Sequence, residues 1–92
     1  MKKLGNKILK IESINKETTS IKVCFNDKTQ GWISLHHLFS QPKGLAAEIL
    51  KGNMFDKCFI EFGTIAWPNG FELCPDALKQ WFQKQNSRKK AA

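Results

Sequence analysis

The sequence predicts an α+β fold: a curved antiparallel sheet of about five strands, with short helices and a C-terminal amphipathic helix. Three observations lead there. Alternating apolar runs recur along the chain, each bounded by Asn, Asp, Gly or Pro. Several gaps between these runs are long enough for a hairpin and too short for a crossover. The longest stretch with apolar residues at helical spacing comes last, after Pro75.

Residues 8–14 read as a strand with Leu9, Ile11 and Ser13 on one face and Ile8, Lys10 and Glu12 on the other. Residues 18–25 carry the strongest strand signal of the first half, because Ile21, Val23 and Phe25 alternate with Lys22 and Cys24. Asn26-Asp27-Lys28 turns the chain. Residues 29–35 then set Gly31, Ile33 and Leu35 opposite Trp32 and Ser34, completing a three-stranded antiparallel meander. Residues 34–39 read as a helical turn, with Ser34 accepting an N–H at its start and Leu35, Leu38 and Phe39 at i, i+3 and i+4. Pro42 and Gly44 interrupt it, and Leu45–Lys51 forms a second short helix stopped by Gly52-Asn53.

Residues 57–62 alternate Cys58, Ile60 and Phe62 with Lys57, Phe59 and Glu61, and Gly63 links them to residues 64–67 as a hairpin. Pro68 holds Trp67 extended and sets the first corner of a turn that Asn69 and Gly70 complete. After a short strand, Pro75 suits the first helical position, where no N–H is needed. Asp76 places negative charge at the positive end of the helix dipole. From residue 75 to about 85, Ala77, Leu78, Trp81 and Phe82 form a buried stripe, leaving Lys79, Gln80, Gln83 and Lys84 for water. Residues 86–92 lack an apolar anchor, so a single domain is expected over 1–85, followed by a basic disordered tail over 86–92.

A chain of 92 residues with 41% hydrophobic and 11% aromatic content supports one modest core, which argues against disorder throughout. The net charge of +7 belongs to the ends: residues 1–22 carry +4, residues 23–75 carry −1 and residues 76–92 carry +4. Such ends suit phosphate or an acidic protein. Cys24, Cys58 and Cys74 are odd in number and contain no Cys-x-x-Cys pair, which points to reduced thiols and a cytoplasmic location. The apolar runs fall far short of the ~20 residues of a membrane span, so no membrane partner is expected.

Catalytic grammar is missing. His36-His37 is the one imidazole pair, and adjacent helical residues diverge by about 100°, which favours a structural role. The three cysteines lack the paired spacing of structural zinc, and no Gly-rich phosphate loop or nucleophile elbow occurs. Glu61 and Glu72 form no evident acid–base pair. We therefore expect no enzyme activity, metal or cofactor. The candidate partner-binding residues are Trp32 and Phe59, which fall opposite the expected core stripe beside Lys22 and Lys57. The candidate nucleic-acid contacts are Lys2, Lys3, Lys7, Lys10, Arg88, Lys89 and Lys90. The expected function is a non-enzymatic protein-binding module that presents a sheet edge or aromatic patch to a cognate protein. The alternative is a small basic nucleic-acid-binding protein or transcriptional regulator that contacts DNA or RNA.

The structural motif Trp67-Pro68-Asn69-Gly70 followed by Pro75-Asp76 resembles the signature of a bacterial and phage family known as domain of unknown function 2442. The likeness extends to Phe25-Asn26-Asp27-Lys28-Thr29 and Gly31-Trp32-Ile33-Ser34-Leu35. Lys28 stands where the family commonly has Gly, which argues for a different turn geometry. Ser34 stands where it commonly has Asp, which removes a carboxylate. The resemblance implies a compact domain of unassigned biochemistry. Its relatives are often encoded beside other small proteins in arrangements like toxin–antitoxin pairs, and some are joined to a DNA-binding module. An antitoxin-like partner, binding a protein encoded nearby, is what it implies for this chain.

Overall fold

The computed structural model describes residues 5–91, with side chains described as far as residue 86. The elements run β1 (Ile8–Asn15), β2 (Ser20–Phe25), β3 (Gln30–Ser34), α1 (His36–Phe39), α2 (Leu45–Lys51), a 3₁₀ turn at Phe55–Lys57, β4 (Phe59–Glu61), β5 (Thr64–Ala66), β6 (Glu72–Leu73) and α3 (Pro75–Ala91). The α+β class holds. The single sheet of about five strands does not: there are two antiparallel sheets, ordered β1-β2-β3 and β4-β5-β6. They meet where β1 approaches β4. There the Ile8 N–H donates to the carbonyl of Gly63, 2.8 Å away, in the β4–β5 turn. A turn offers one outward carbonyl where a strand would offer a ladder, so the two sheets touch without merging.

β2 is central in its sheet and buries Ile21, Val23 and Phe25 completely, as their alternation requires. β1 breaks that rule. Its inward residues are Ile8, Ile11 and Ile14, three apart instead of two, because the register against β2 slips between Ile8 and Lys10 and again between Ile11 and Ser13. Each slip is a bulge in which two β1 residues face one on β2, so Leu9 and Glu12 are the extra residues. The expected face of Leu9, Ile11 and Ser13 is thereby corrected. Leu9 is exposed and Ile8 is buried.

The two loops that follow β2 and β5 share one construction. In Phe25–Thr29, the Lys28 N–H donates to Phe25 O at 2.9 Å and the Phe25 N–H to Thr29 O at 2.8 Å. In Trp67–Phe71, the Gly70 N–H donates to Trp67 O at 3.0 Å and the Trp67 N–H to Phe71 O at 2.9 Å. Each is a three-residue loop whose last residue is left-handed, Lys28 at φ 75° and Gly70 at φ 96°. Lys28 thus adopts the conformation a glycine would supply. The middle residues also correspond: Asp27 Oδ1 accepts from the Thr29 N–H, and Asn69 Oδ1 from the Phe71 N–H, both at 3.1 Å.

Each loop is then tied to a helix. The Asn69 amide donates to Leu45 O at 3.0 Å, anchoring its loop to α2. Asp27 pairs with Lys79 of α3, whose ammonium also donates to Thr29 Oγ1 at 2.8 Å and lies 4.5 Å from the centre of the Phe25 ring. Lys79 is buried, which corrects the expectation that it faces water. Its stem packs among aromatics while its charge finds a carboxylate, a hydroxyl and a ring face. The bonds from Lys79 and Thr29 hold the Asp27 carboxyl well below the usual carboxylate range.

Trp67 anchors the other half of the core. It is 1% exposed, donates its indole N–H to Phe55 O at 3.0 Å, and stands 5.5–6.2 Å from the rings of Phe39, Phe55 and Phe71. Leu78 is buried on α3, with Trp81 and Phe82 half-buried beside the core. α3 begins at Pro75 as expected and runs through Ala91, past the end expected near residue 85. Asp76 accepts from the Asn6 side chain at 2.9 Å, so the helix start also holds the N-terminal segment.

Candidate functional site

Loops and core account for most polar and aromatic side chains, which isolates the few that they leave unexplained. The first is Phe62. Glu61 pairs with Thr64, so Phe62 and Gly63 form a two-residue hairpin turn. Both have positive φ, 52° and 79°, the geometry in which Asn-Gly is favoured. A phenylalanine there carries left-handed strain, and its ring is 92% exposed. The expected inward position of Phe62 is therefore wrong, because the turn takes Phe62 out of the strand alternation. The signal was available in the sequence: a strand on each side of Gly63 leaves too few residues to close a hairpin unless Phe62 joins the turn.

Phe62 does not stand alone. The Ile8–Gly63 hydrogen bond has Leu9 and Phe62 as its chain neighbours, and Leu9 is 58% exposed. Phe59, three residues back along β4, is 42% exposed. Leu9 was missed by sequence reasoning because the bulge that turns it outward depends on pairing with β2.

Trp32, the other aromatic expected to bind a partner, sits elsewhere. It is 44% exposed on β3, directly opposite Lys22, as the strand pattern anticipated. Phe59 lies opposite Ala66 in the second sheet, so the structure does not bring Trp32 and Phe59 into one patch. Near Trp32 the Gln85 side chain bonds the backbone of Ser34 twice, accepting from its N–H at 2.8 Å and donating to its carbonyl at 3.1 Å. This imitates a ladder on the open edge of β3. Gln85 lines both a concavity of about 410 Å³ that includes Trp32 and one of about 610 Å³ lined also by His37, Trp81 and Lys84.

Of the candidate phosphate contacts, Lys7 and Lys10 are exposed at the start of the first sheet. Lys7 packs against Gly63, so close that a Cβ at Gly63 would stand 2.9 Å from its stem. Lys2 and Lys3 lie outside the described residues. Arg88, Lys89 and Lys90 fall on the last turns of α3, their side chains outside the description. His36 and His37 are exposed, and the His37 ring meets Trp81 edge-on at 4.6 Å. Cys24, Cys58 and Cys74 are free thiols. Burial, with a smaller effect from the Asp56 charge, pushes the Cys58 thiol up to about 11. No group of three or more metal-ligating side chains occurs among the described residues, and no helix among them is long and apolar enough to cross a membrane. The chain matches no family model, no curated protein and no solved structure.

Proposed function

We propose that this chain is a non-enzymatic protein-binding module that docks a cognate protein encoded nearby, as the antitoxin-like member of a bacterial or phage two-protein system. The observation that carries the reading is Phe62, a large apolar ring almost fully exposed at a backbone position that disfavours it. Strain of this kind persists where another use requires it, and aromatic anchors contribute much of the binding energy at protein interfaces. Leu9, next to the Ile8 that bonds Gly63, and Phe59, three residues before Phe62, are also exposed. The resemblance of the Trp67–Gly70 turn to a family found beside other small proteins supports the two-protein arrangement.

Co-expression with the product of the adjacent gene tests the proposal. The partner co-purifies with the wild-type chain and is lost with Phe62→Asn, whose fold is intact. A monodisperse monomer that retains nothing from the co-expression refutes it.

A further inference from the structure

The outer face of the β1-β2-β3 sheet has chemistry unlike that around Phe62. Residues directly opposite in an antiparallel ladder share a face. One cross-strand row there is Trp32, Lys22 and Ser13, the next is Gln30, Cys24 and Lys10, and the row at the other end is Ser34, Ser20 and Asn15. These paired positions hold two lysines, and the exposed bulge residue Glu12 beside Ser13 adds one carboxylate. The face is open: Trp32, Lys10, Ser13, Asn15 and Gln30 are exposed. Beyond Trp32 it continues into the concavity shared by Ser20, Ser34 and Asn86, and past Gln85 into the hollow of Trp81 and Lys84. Gln85 lines both hollows, and both ends of its amide are held by Ser34.

We propose that this face binds single-stranded nucleic acid. A base stacks on the Trp32 indole, Lys22 and Lys10 meet phosphates beside it, and the strand continues over Gln85 towards Lys84. Charge selects the occupant: Lys22 and Lys10 outnumber Glu12, the exposed bulge residue beside Ser13, and a net charge of +7 suits a polyanion. The exposed indole selects among polyanions, since unpaired bases offer their faces and a duplex does not. Ser20, Ser34 and Asn86 line the concavity beside Trp32, although Ser20 bonds Thr18, Ser34 Oγ accepts from the His36 N–H and the Asn86 amide donates to Phe82 O. The site shares no residue with the Phe62 surface, and neither proposal depends on the other.

Fluorescence anisotropy with a labelled oligothymidylate about 12 nucleotides long tests it. Binding at low salt should weaken with a log–log slope near −2, as about three phosphate contacts to a single strand require. Trp32→Leu should weaken binding roughly 5- to 150-fold, the range of one lost stacking contact, while Trp32→Phe keeps most of it. An abasic oligomer of the same length should bind the wild type about as weakly as oligothymidylate binds Trp32→Leu. Lys22→Gln should lower the slope by about 0.7, and Phe62→Asn should change nothing in this assay. The proposal is overturned by no anisotropy change at low salt, by equal binding of the abasic oligomer, by indifference to Trp32→Leu, or by equal affinity for polyglutamate or duplex DNA. Thermal midpoints of the variants within a few degrees of wild type exclude unfolding as the cause of any loss.

Discussion

Phe62→Asn separates what the fold requires from what a partner requires. In the wild type, Phe62 is held at φ 52° with Gly63 at φ 79°, and 92% of its surface is already in water. Replacing it removes almost no buried apolar area, so the usual cost of deleting an aromatic does not apply. Asn tolerates the left-handed region, whereas a side chain such as Phe loses about 1 kcal/mol there. The variant should therefore be more stable by about 0.5–1 kcal/mol, which for a domain of this size raises the thermal midpoint by roughly 2–8 °C. Circular dichroism melts of both proteins at one concentration measure it. Binding should move the other way, since loss of an interface anchor costs about 2 kcal/mol or more, roughly 30-fold in affinity. A lowered midpoint would falsify the reasoning, because it would mean that the Phe62 ring packs against its own chain in solution.

Other consequences follow from the loops, the helix and the thiols. Lys28→Gly relieves a left-handed lysine at φ 75° and should raise stability by about 0.5 kcal/mol, read as a higher urea midpoint at unchanged slope. Asp27→Asn should cost about 1 kcal/mol at neutral pH, a modest figure because the Asp27 side chain is 51% exposed and water screens its pair with Lys79. Since the folded Asp27 carboxyl lies below its ordinary value of 3.8, its contribution is fully present above that pH and is lost as pH falls towards the folded value. The variant's stability should accordingly vary less between about pH 4 and pH 2 in urea titrations. Gln85→Ala removes both side-chain bonds to Ser34 and should destabilise by roughly 1–2 kcal/mol, with faster amide exchange along β3. At pH 8, Cys58 of the native protein should alkylate about 100-fold more slowly than an unstructured thiol, followed by peptide mass spectrometry, and at the ordinary rate once guanidinium unfolds the chain.

The parts of the fold legible in the sequence were those fixed by neighbours along the chain. Ile21, Val23 and Phe25 declared a strand because β2 lies flat between two others with no bulge on its own side. Trp67-Pro68-Asn69-Gly70 declared its turn because each residue's backbone preference is local. β1 was misread because its bulges are set by pairing with β2, which turns a two-residue repeat into a three-residue one. The separation into two sheets was hidden for the same reason, since one carbonyl at Gly63 receives Ile8 where a continuous strand was expected. Lys79 looked solvated because helical spacing alone cannot reveal that Asp27, fifty-two residues away, supplies its counter-charge. Trp32 was found as an outward aromatic, but its neighbours Gln85 and Asn86 come from α3 and required the fold to be seen.

The repeated loop construction explains why function is best sought in what remains. Asp27 and Asn69 occupy equivalent places, each bonding an N–H two residues on and then fixing its loop to a helix. Had either been read from chemistry alone, a carboxylate beside a buried lysine or an exposed amide in a turn would have suggested a reactive or binding group. Their geometry instead satisfies folding, and the same holds for Trp67, whose N–H and ring faces are all occupied. Phe62 and Trp32 differ because no packing or hydrogen bond of the described residues accounts for leaving so much aromatic surface in water. Stability alone would favour Asn at position 62. The two outward aromatics lie in different chemical settings, Phe62 in a turn near the exposed Leu9 and Trp32 opposite Lys22, which is why the two proposals invoke different partners.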